Sequence, residues 1–262
     1  FSIELDNQFR DLTDKKIRIH NLSRPAHTSL DSKIKMELLK DKALDFIIFY
    51  HGINDVRANN CPQEGYRDDY THYDWYEEIS VILRHRDNRY SAIPFFSEYS
   101  YIKMRKRLGF DKYLPLDRPR EDWIAYGGDV KTRGSFRDNL LDIIKIAESK
   151  STPILIMTYG YYIPENYSLE MFNNGEVEYN LFSFPIELWG DPENVKAGIE
   201  AHNEVVRAVE GEVKYGKLYF LDTEKLLKKD YTNFNDVCHL THNGVKIMVA
   251  NMMPFIQEVI NE

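Results

Sequence analysis

The chain has 262 residues, a hydrophobic fraction of 43%, a charged fraction of 29% and a formal net charge of −8 at pH 7. These fractions are those of an ordinary globular protein, and the acidic balance argues against a nucleic-acid-binding surface. No apolar run approaches the roughly 20 residues that span a bilayer, and the opening residues, FSIELDNQF, lack the pattern of a signal peptide. The composition leaves the cellular compartment open.

Hydrophobic periodicity predicts helices and strands in alternation. The predicted helices cover residues 2–12, 32–40, 75–83, 99–108, 136–150, 194–209 and 241–260. The predicted strands cover residues 15–22, 44–50, 153–162 and 215–223. Strands that alternate with helices are typical of a parallel sheet, and neither a linker nor an internal repeat interrupts the pattern. We therefore expect one α/β domain over residues 1–262.

Residues 59–132 lack a regular pattern and are rich in aromatic side chains. A segment this long is uncommon in a compact domain unless it has a function. Because it leaves the central strand at its carboxyl end, we expect it to form a cap over that end of the sheet. Tyr66, Tyr70, Tyr73 and Trp75 would then line a cleft and offer flat apolar faces to a ligand.

Residues 44–50 form an almost unbroken apolar run, which is typical of a central parallel strand covered on both faces. The run stops at a polar loop that contains His51, Gly52, Asn54 and Asp55. Open α/β sheets place their ligands at the carboxyl ends of such strands. Taken alone, the segment fits an ordinary strand-to-helix turn with an Asn-Asp cap equally well.

A second polar segment, NDVCHLTHNG, precedes the last predicted helix. Asp236 and His239 are three residues apart, so a sharp turn would let the carboxylate accept a hydrogen bond from one imidazole nitrogen. The other nitrogen would then be free to act as a general base. An isolated Asp and His near a helix start are more often caps or surface residues, but here Thr241 and Asn243 are expected to start the helix.

Four segments carry a family resemblance in chain order: Asn21–Ser29, Gly52–Asp55, Ala201–Asn203 and Asp236–Thr241. The second matches Gly-x-Asn-Asp and the fourth matches Asp-x-x-His followed by Leu-Thr. These are the third and fifth sequence blocks of the SGNH, or GDSL-type, hydrolases, which the chain resembles over nearly its whole length. The first segment is similar to the second block of that family, and Ala201-His202-Asn203 is similar to a recurrent feature of its bacterial members.

The resemblance implies a three-layer α/β/α sandwich with a mainly parallel sheet. It implies hydrolysis of an ester through a serine acyl-enzyme, in which His239 removes the serine proton and Asp236 orients the imidazole. The Asn54 side chain and the Ala26 backbone N–H would stabilise the oxyanion. No metal or organic cofactor is implied. The substrate would be a small-molecule or carbohydrate ester, and the aromatic insertion favours carbohydrate esters over long acyl chains.

Two departures from the family pattern concern the reacting groups. Ala26 stands where the second block has a glycine, and it keeps the N–H if the loop accepts a methyl group. The first block, with the nucleophilic serine in a Gly-x-Ser turn after the first strand, is not found. Ser2, Ser23 and Ser29 are poor substitutes, so we expect the serine and its strand upstream of Phe1. A gap one strand wide would then separate residues 15–22 from residues 44–50.

Two other functions remain open at this point. An acyltransferase on the same fold would exclude water and accept a sugar hydroxyl. A non-catalytic binding module would have kept the fold without the nucleophile. Sequence upstream of Phe1 discriminates between these functions, because a strand that ends in Gly-x-Ser supports an enzyme.

The remaining residues near the two motifs each have two interpretations. His51 either supports the oxyanion loop or caps the strand, and Arg57 either recognises an anionic or sugar substrate or pairs with a nearby acid. Gly52 and Asp55 are assigned to substrate contact or loop support. Cys61 and Cys238 lack metal-ligand spacing, and the sequence favours two buried thiols over a disulfide between their loops.

Overall fold

The computed structural model describes residues 2–12, 17–88 and 90–261. The helices are α1 (Ser2–Leu12), α2 (Ser29–Leu38), α3 (Ile53–Arg57), α4 (Asp74–His85), α5 (Ile93–Arg107), α6 (Thr132–Ser149), α7 (Leu169–Asn174), α8 (Pro192–Glu212), α9 (Thr223–Leu226) and α10 (His242–Asn261). The strands are β1 (Ile47–Tyr50), β2 (Ile154–Met157) and β3 (Leu218–Leu221). Within the described residues, no helix combines the length and the apolar character needed to cross a membrane.

The three strands form one parallel sheet in the order β1-β2-β3. Ile47 is in register with Ile154, and Ile154 with Leu218. The connections between the strands contain α6 and α8, as parallel neighbours require. The predicted parallel sheet is therefore confirmed, and the chain is of the α/β class.

Helices cover both faces of this sheet. Ile47, Phe49 and Ile156 pack in one hydrophobic cluster with α2, α6 and α8. Leu155 and Met157 pack in a second cluster with α1 and α10. Successive side chains of a strand point to opposite faces, so a strand covered on both sides is apolar at every position. This explains why the runs at 44–50 and 153–157 do not alternate with polar residues.

The predicted strand at 15–22 is wrong in the part that the structure describes, since residues 17–22 have no regular secondary structure. Lys15 and Lys16 lie outside the described residues. Ile17 and Ile19 instead pack against the cluster of α1 and α10. Their alternation therefore reports that one side of an extended segment is buried, and it does not report strand pairing.

The outer edge of β1 is open among the described residues. The Ile47 N–H donates to the Pro153 carbonyl at 2.9 Å, so residues 47 and 49 face β2. The backbone groups of Ile48 and Tyr50 point to the opposite edge, where no described residue makes a backbone hydrogen bond with them. The direct pairing with residues 17–22 that would have closed the sheet is not observed.

The aromatic residues of the insertion form a core of their own. Tyr70, Tyr73 and Tyr76 are at most 2% exposed and pack with Trp123. The expectation that the tyrosines line an open cleft is therefore wrong for Tyr70 and Tyr73, because a segment of this size must bury apolar surface to be stable. Tyr66 is also partly buried in this cluster, and its hydroxyl hydrogen-bonds Ser135 at 2.8 Å.

Candidate functional site

The loop after β1 brings the ends of two strands into close contact at Gly52. A Cβ atom at this position would lie 2.8 Å from the Cβ of Tyr159, which follows β2. A side chain here would therefore push the two strand ends apart. The requirement for glycine comes from this close approach, and helix α3 begins at the next residue.

The Asn54 side chain is held at both ends of its amide. Its Nδ2 donates to the His27 carbonyl at 3.0 Å, and its Oδ1 accepts from the Trp189 indole Nε1–H at 3.1 Å. An indole N–H can only donate, so this contact fixes which end of the amide carries the oxygen. The second Nδ2 hydrogen bonds no acceptor among the described residues, so it can serve as an oxyanion donor.

Ala26 lies in a tight turn directly before His27. The His27 N–H points back to the Arg24 carbonyl at 3.4 Å, Pro25 occupies the second turn position, and Ala26 has a φ of 65°. Proline followed by a positive φ is the type II pattern, which normally has glycine at the third position. The loop thus accepts the methyl group, at a cost of roughly 1–2 kcal/mol for the left-handed backbone.

Asp236 and His239 make the predicted contact. The Nδ1 atom of His239 lies 2.9 and 2.8 Å from the two carboxylate oxygens of Asp236. The carboxylate is fully buried, and it also accepts the backbone N–H groups of Cys238 and His239. The hydrogen bond to Asp236 raises the pKa of His239 above its ordinary value of 6.5, although burial opposes this shift.

The other imidazole nitrogen of His239 is available. Half of the side chain is exposed, and its Nε2 atom makes no hydrogen bond to any residue that the structure describes. Thr241 accepts the Gly244 N–H at 3.1 Å and so starts α10, as predicted. His239 is therefore not used as a helix cap. Its arrangement fits a general base, and that role remains a prediction.

Trp189 joins the two halves of the site, and sequence reasoning did not assign it a role. Its indole holds Asn54, and its ring lies 6.2 Å from the His239 ring between centroids. Phe184 lies 5.4 Å from the same imidazole. Ile53 of α3 and Val237 of the Asp-x-x-His turn pack in the same hydrophobic cluster as Trp189. The only signal in the sequence was a tryptophan followed by Gly190, at the end of an irregular segment.

Arg57 is buried, and its hydrogen bonds go to backbone carbonyls. It is 2% exposed, too deeply buried to contact a substrate. Its Nε and Nη1 atoms donate to the carbonyls of Leu188 and Leu116, and its guanidinium lies 5.8 Å from the Trp189 ring centroid. Among the described residues no carboxylate pairs with it, and burial lowers its pKa. Arg57 of α3 thus hydrogen-bonds both the insertion, through Leu116, and the segment that contains Trp189, through Leu188.

Asp55 and His51 support the loops around the site. The fully buried Asp55 carboxylate accepts from the Ser29 backbone, the Ser29 hydroxyl and the Tyr70 hydroxyl, and so fixes the start of α2. Burial raises the pKa of Asp55 to about 6, against the effect of these hydrogen bonds. The Nε2 atom of His51 contacts the Ser32 hydroxyl at 2.7 Å, and burial lowers the pKa of His51 to about 4.

The Ala201-His202-Asn203 segment supports the strand ends. His202 contacts the Thr132 hydroxyl at 2.8 Å and stacks on Phe136. The Asn203 amide accepts from the backbone N–H of Tyr159 and donates to its carbonyl, at 2.6 and 2.9 Å. Both side chains are buried, so Asn203 holds the end of β2 against α8, while His202 joins α8 to α6.

The serines in the second-block loop are engaged in hydrogen bonds. The Ser29 hydroxyl is buried and donates to Asp55 at 2.6 Å, and the exposed Ser23 hydroxyl bonds Asn21 at 2.6 Å. The Ser2 side chain lies outside the described residues. Ser29 is the first residue of α2 and Ser23 lies in the loop before it, so both hydroxyls serve local structure.

Asp236, Cys238 and His239 offer three potential metal ligands within 4.8 Å of one another. The carboxylate is already shared among three N–H donors, and burial raises the pKa of the Cys238 thiol well above its usual value. A thiol that keeps its proton is a poor metal ligand, so these donors fit a hydrogen-bonded pair better than a cation site. Cys61 and Cys238 are both free and buried, as the sequence favoured.

No family model matches the chain. A putative F-box protein from Arabidopsis thaliana is 25% identical over 89 residues, which is 34% of this chain and 28% of that protein. The chain thus spans little more than a quarter of that relative. A GDSL-like lipase from Bacteroides thetaiotaomicron is a structural neighbour with a TM-score of 0.34 and 8% identity, over 87% of this chain and 98% of that chain. A likeness of this strength supports no conclusion about function.

Proposed function

We propose that the protein is a serine hydrolase of the SGNH type that cleaves ester bonds. The observation that carries the proposal is the Asp236–His239 pair, whose Nε2 bonds no described residue, together with an oriented Asn54 amide that Trp189 links to His239. The parallel sheet with helices on both faces is compatible with a three-layer sandwich of that family.

The proposed reaction uses these groups in two steps. The Nε2 atom of His239 takes the proton of a serine hydroxyl as the oxygen bonds to the ester carbonyl carbon, and the imidazolium then protonates the departing alkoxide. Water repeats the sequence on the acyl-enzyme and releases the acid. Asp236 stabilises the imidazolium, while Asn54 and the Ala26 N–H donate to the oxyanion, where one such donor contributes roughly 10²–10³ in rate.

The nucleophilic serine is the part of the proposal that lies outside residues 1–262. We place it on a strand paired with the open edge of β1, because the backbone groups of Ile48 and Tyr50 pair with no backbone group of residues 2–12, 17–88 or 90–261 there. The turn after such a strand would lie at the same end of the sheet as Gly52 and Asn54. The residues beside His239 are Phe184 and Trp189, and the buried tyrosines of the insertion provide no surface on which a sugar could stack. The exposed rings of Trp75 and Phe184 still offer flat faces near the site, so the proposed substrate is a small-molecule or carbohydrate ester.

Covalent labelling tests the proposal. The full-length protein is incubated with a fluorophosphonate, and the modified residue is identified by peptide mass spectrometry. We expect one labelled serine outside residues 1–262, with labelling lost in His239→Ala. Labelling of Ser29, or a full-length protein with neither labelling nor turnover of aryl esters, would contradict the proposal. The second result would favour a binding module.

A further inference from the structure

Helices α4 and α5 form an antiparallel hairpin at the edge of the insertion. Ion pairs join Arg84 to Glu98 and Lys103 to Glu78, which places the end of one helix beside the start of the other. Lys106 reaches back to Asp74 at the first residue of α4. The surface that α5 presents to α4 thus combines charged groups with the buried Ile102.

The outer face of α5 is apolar. Ile93, Phe96, Tyr101, Met104 and Leu108, which directly follows the helix, are between 52% and 72% exposed. At about 100° per residue these positions fall on one side of the helix. A surface helix of a globular protein normally buries its apolar stripe and exposes its charges. Helix α5 buries Ile102 but leaves these five apolar side chains in solvent, so its outer face is suited to contact something other than water.

The tip of the hairpin combines apolar and cationic groups. An open cavity of about 420 Å³ is lined by Ile82 and Phe95 together with His85 and Arg86. Tyr90, beside this cavity, is fully exposed. Aromatic side chains with a polar end are typical of the boundary between water and lipid.

The hairpin is one of the basic segments of an acidic protein. Residues 82–112 contain eight Lys or Arg and three Asp or Glu, whereas the whole chain carries a net charge of −8. With the three acids of α4 included, residues 74–112 keep a surplus of two positive charges. Arg107 on the outer side of α5 is exposed and forms no ion pair with any described residue. The apolar stripe and an uncompensated cation thus share one surface.

We propose that the outer face of the α4–α5 hairpin docks on the surface of an anionic phospholipid membrane. Exposed aromatic and aliphatic side chains can bury their apolar surface at a lipid interface, and anionic lipids attract each cation near that surface. A second copy of this chain suits the face less well, because a symmetric contact would bring two basic surfaces together.

Docking would hold the candidate active site close to the membrane. Trp75, in the first turn of α4, stacks against His27 at 6.5 Å, and the His27 carbonyl accepts from Asn54. The proposal does not depend on catalysis, since the hairpin shares no residue with the Asp236–His239 pair.

Co-sedimentation of the full-length protein with vesicles tests the proposal. Vesicles of phosphatidylcholine alone are compared with vesicles that also contain phosphatidylglycerol, at low and high salt. We expect binding that requires phosphatidylglycerol, weakens with salt, and is lost in Ile93→Ser/Phe96→Ser/Met104→Ser. The matched control, Leu38→Ser/Leu226→Ser/Tyr231→Ser, removes exposed apolar groups elsewhere and should bind normally.

A second pair of variants tests the charge. Arg86→Glu/Arg107→Glu should weaken binding by more than about fivefold, roughly the effect of one basic residue at an anionic surface. Lys196→Glu/Lys214→Glu, on the exposed surface of α8 and the loop after it, should change it far less. Equal binding to both vesicle types, or no binding, overturns the proposal. So does a concentration-dependent dimer that the apolar triple variant abolishes while vesicles have no effect.

Discussion

The two halves of the candidate site are held in place in opposite ways. Asp236 and His239 are three residues apart and contact each other through a turn whose own backbone N–H groups bind the carboxylate. Asn54 depends on Trp189, 135 residues away, and on His27, 27 residues away. The first half is encoded by neighbours in sequence, whereas the second exists only when the tertiary structure is complete.

The largest effect on kcat should come from disrupting the Asp236–His239 pair, which is the half of the site encoded by neighbouring residues. Asp236→Asn should lower kcat for an aryl ester by about 10⁴-fold, because the amide no longer stabilises the imidazolium or fixes the tautomer. The acid limb of the pH–rate profile should also move to lower pH, since Asp236 raises the pKa of His239. Asp230→Asn is the control, because that carboxylate lies in the same loop but contacts Thr232. A kcat within tenfold of the wild type would remove the catalytic assignment.

Removing the Asn54 side chain, which the tertiary structure positions, should have the next largest effect on kcat. Asn54→Ala should lower kcat by roughly 10²–10³-fold through the loss of one oxyanion donor. Circular dichroism and the melting temperature establish whether the fold is intact. If turnover and melting both match the wild type, Asn54 is only a loop cap.

The stability of the structure around Asn54 should also depend on pH through Asp55, whose carboxylate binds the start of α2. Its pKa is raised from 3.8 to about 6, so the folded state binds this proton more tightly than the unfolded chain. The stability contribution is complete below about pH 3.8 and is lost as the pH rises through about 6. The unfolding free energy of the wild type, measured relative to that of Asp55→Asn, should fall by up to about 3 kcal/mol as the pH rises through this window. A difference that stays constant with pH would contradict the raised pKa.

Trp189→Phe should show how far the orientation of Asn54 depends on Trp189, because it removes one hydrogen bond to the Asn54 amide and keeps the Asn54 side chain. The ring is kept and one neutral hydrogen bond is lost, so kcat should fall by about 5–10-fold with little change in KM. In an Asn54→Ala background the same substitution should have almost no effect on kcat, since the two side chains act together. Trp123→Phe, in the buried core of the insertion, is the matched control. Additive effects would show that Trp189 acts independently of Asn54.

The smallest effect concerns the turn at Ala26. Ala26→Gly should raise the unfolding free energy by about 0.5–1 kcal/mol, because relief of the positive φ outweighs the extra flexibility of glycine when unfolded. The backbone N–H is kept, so kcat should remain close to that of the wild type. A lower melting temperature would contradict the left-handed backbone at this residue.

The sequence predicted what depends on nearby residues or on strong patterns. The parallel sheet followed from two unbroken apolar runs, and the Asp236–His239 contact followed from a three-residue spacing. The strand at 15–22 was wrong because alternation reports one buried side, which an unpaired extended segment also has. The tyrosines were misplaced because composition does not reveal which rings face inward. Trp189 was missed because its contact with Asn54 spans most of the chain.

The open edge of β1 has a consequence for solubility. Its residues, IIFY, carry neither a charge nor a proline, and such features are what normally keep exposed edges from pairing with other chains. The backbone groups of Ile48 and Tyr50, which pair with no other strand in the part of the chain that the structure describes, would act as a template for intermolecular pairing wherever the edge is left uncovered. The strand that we propose to carry the serine would therefore also protect the protein from aggregation.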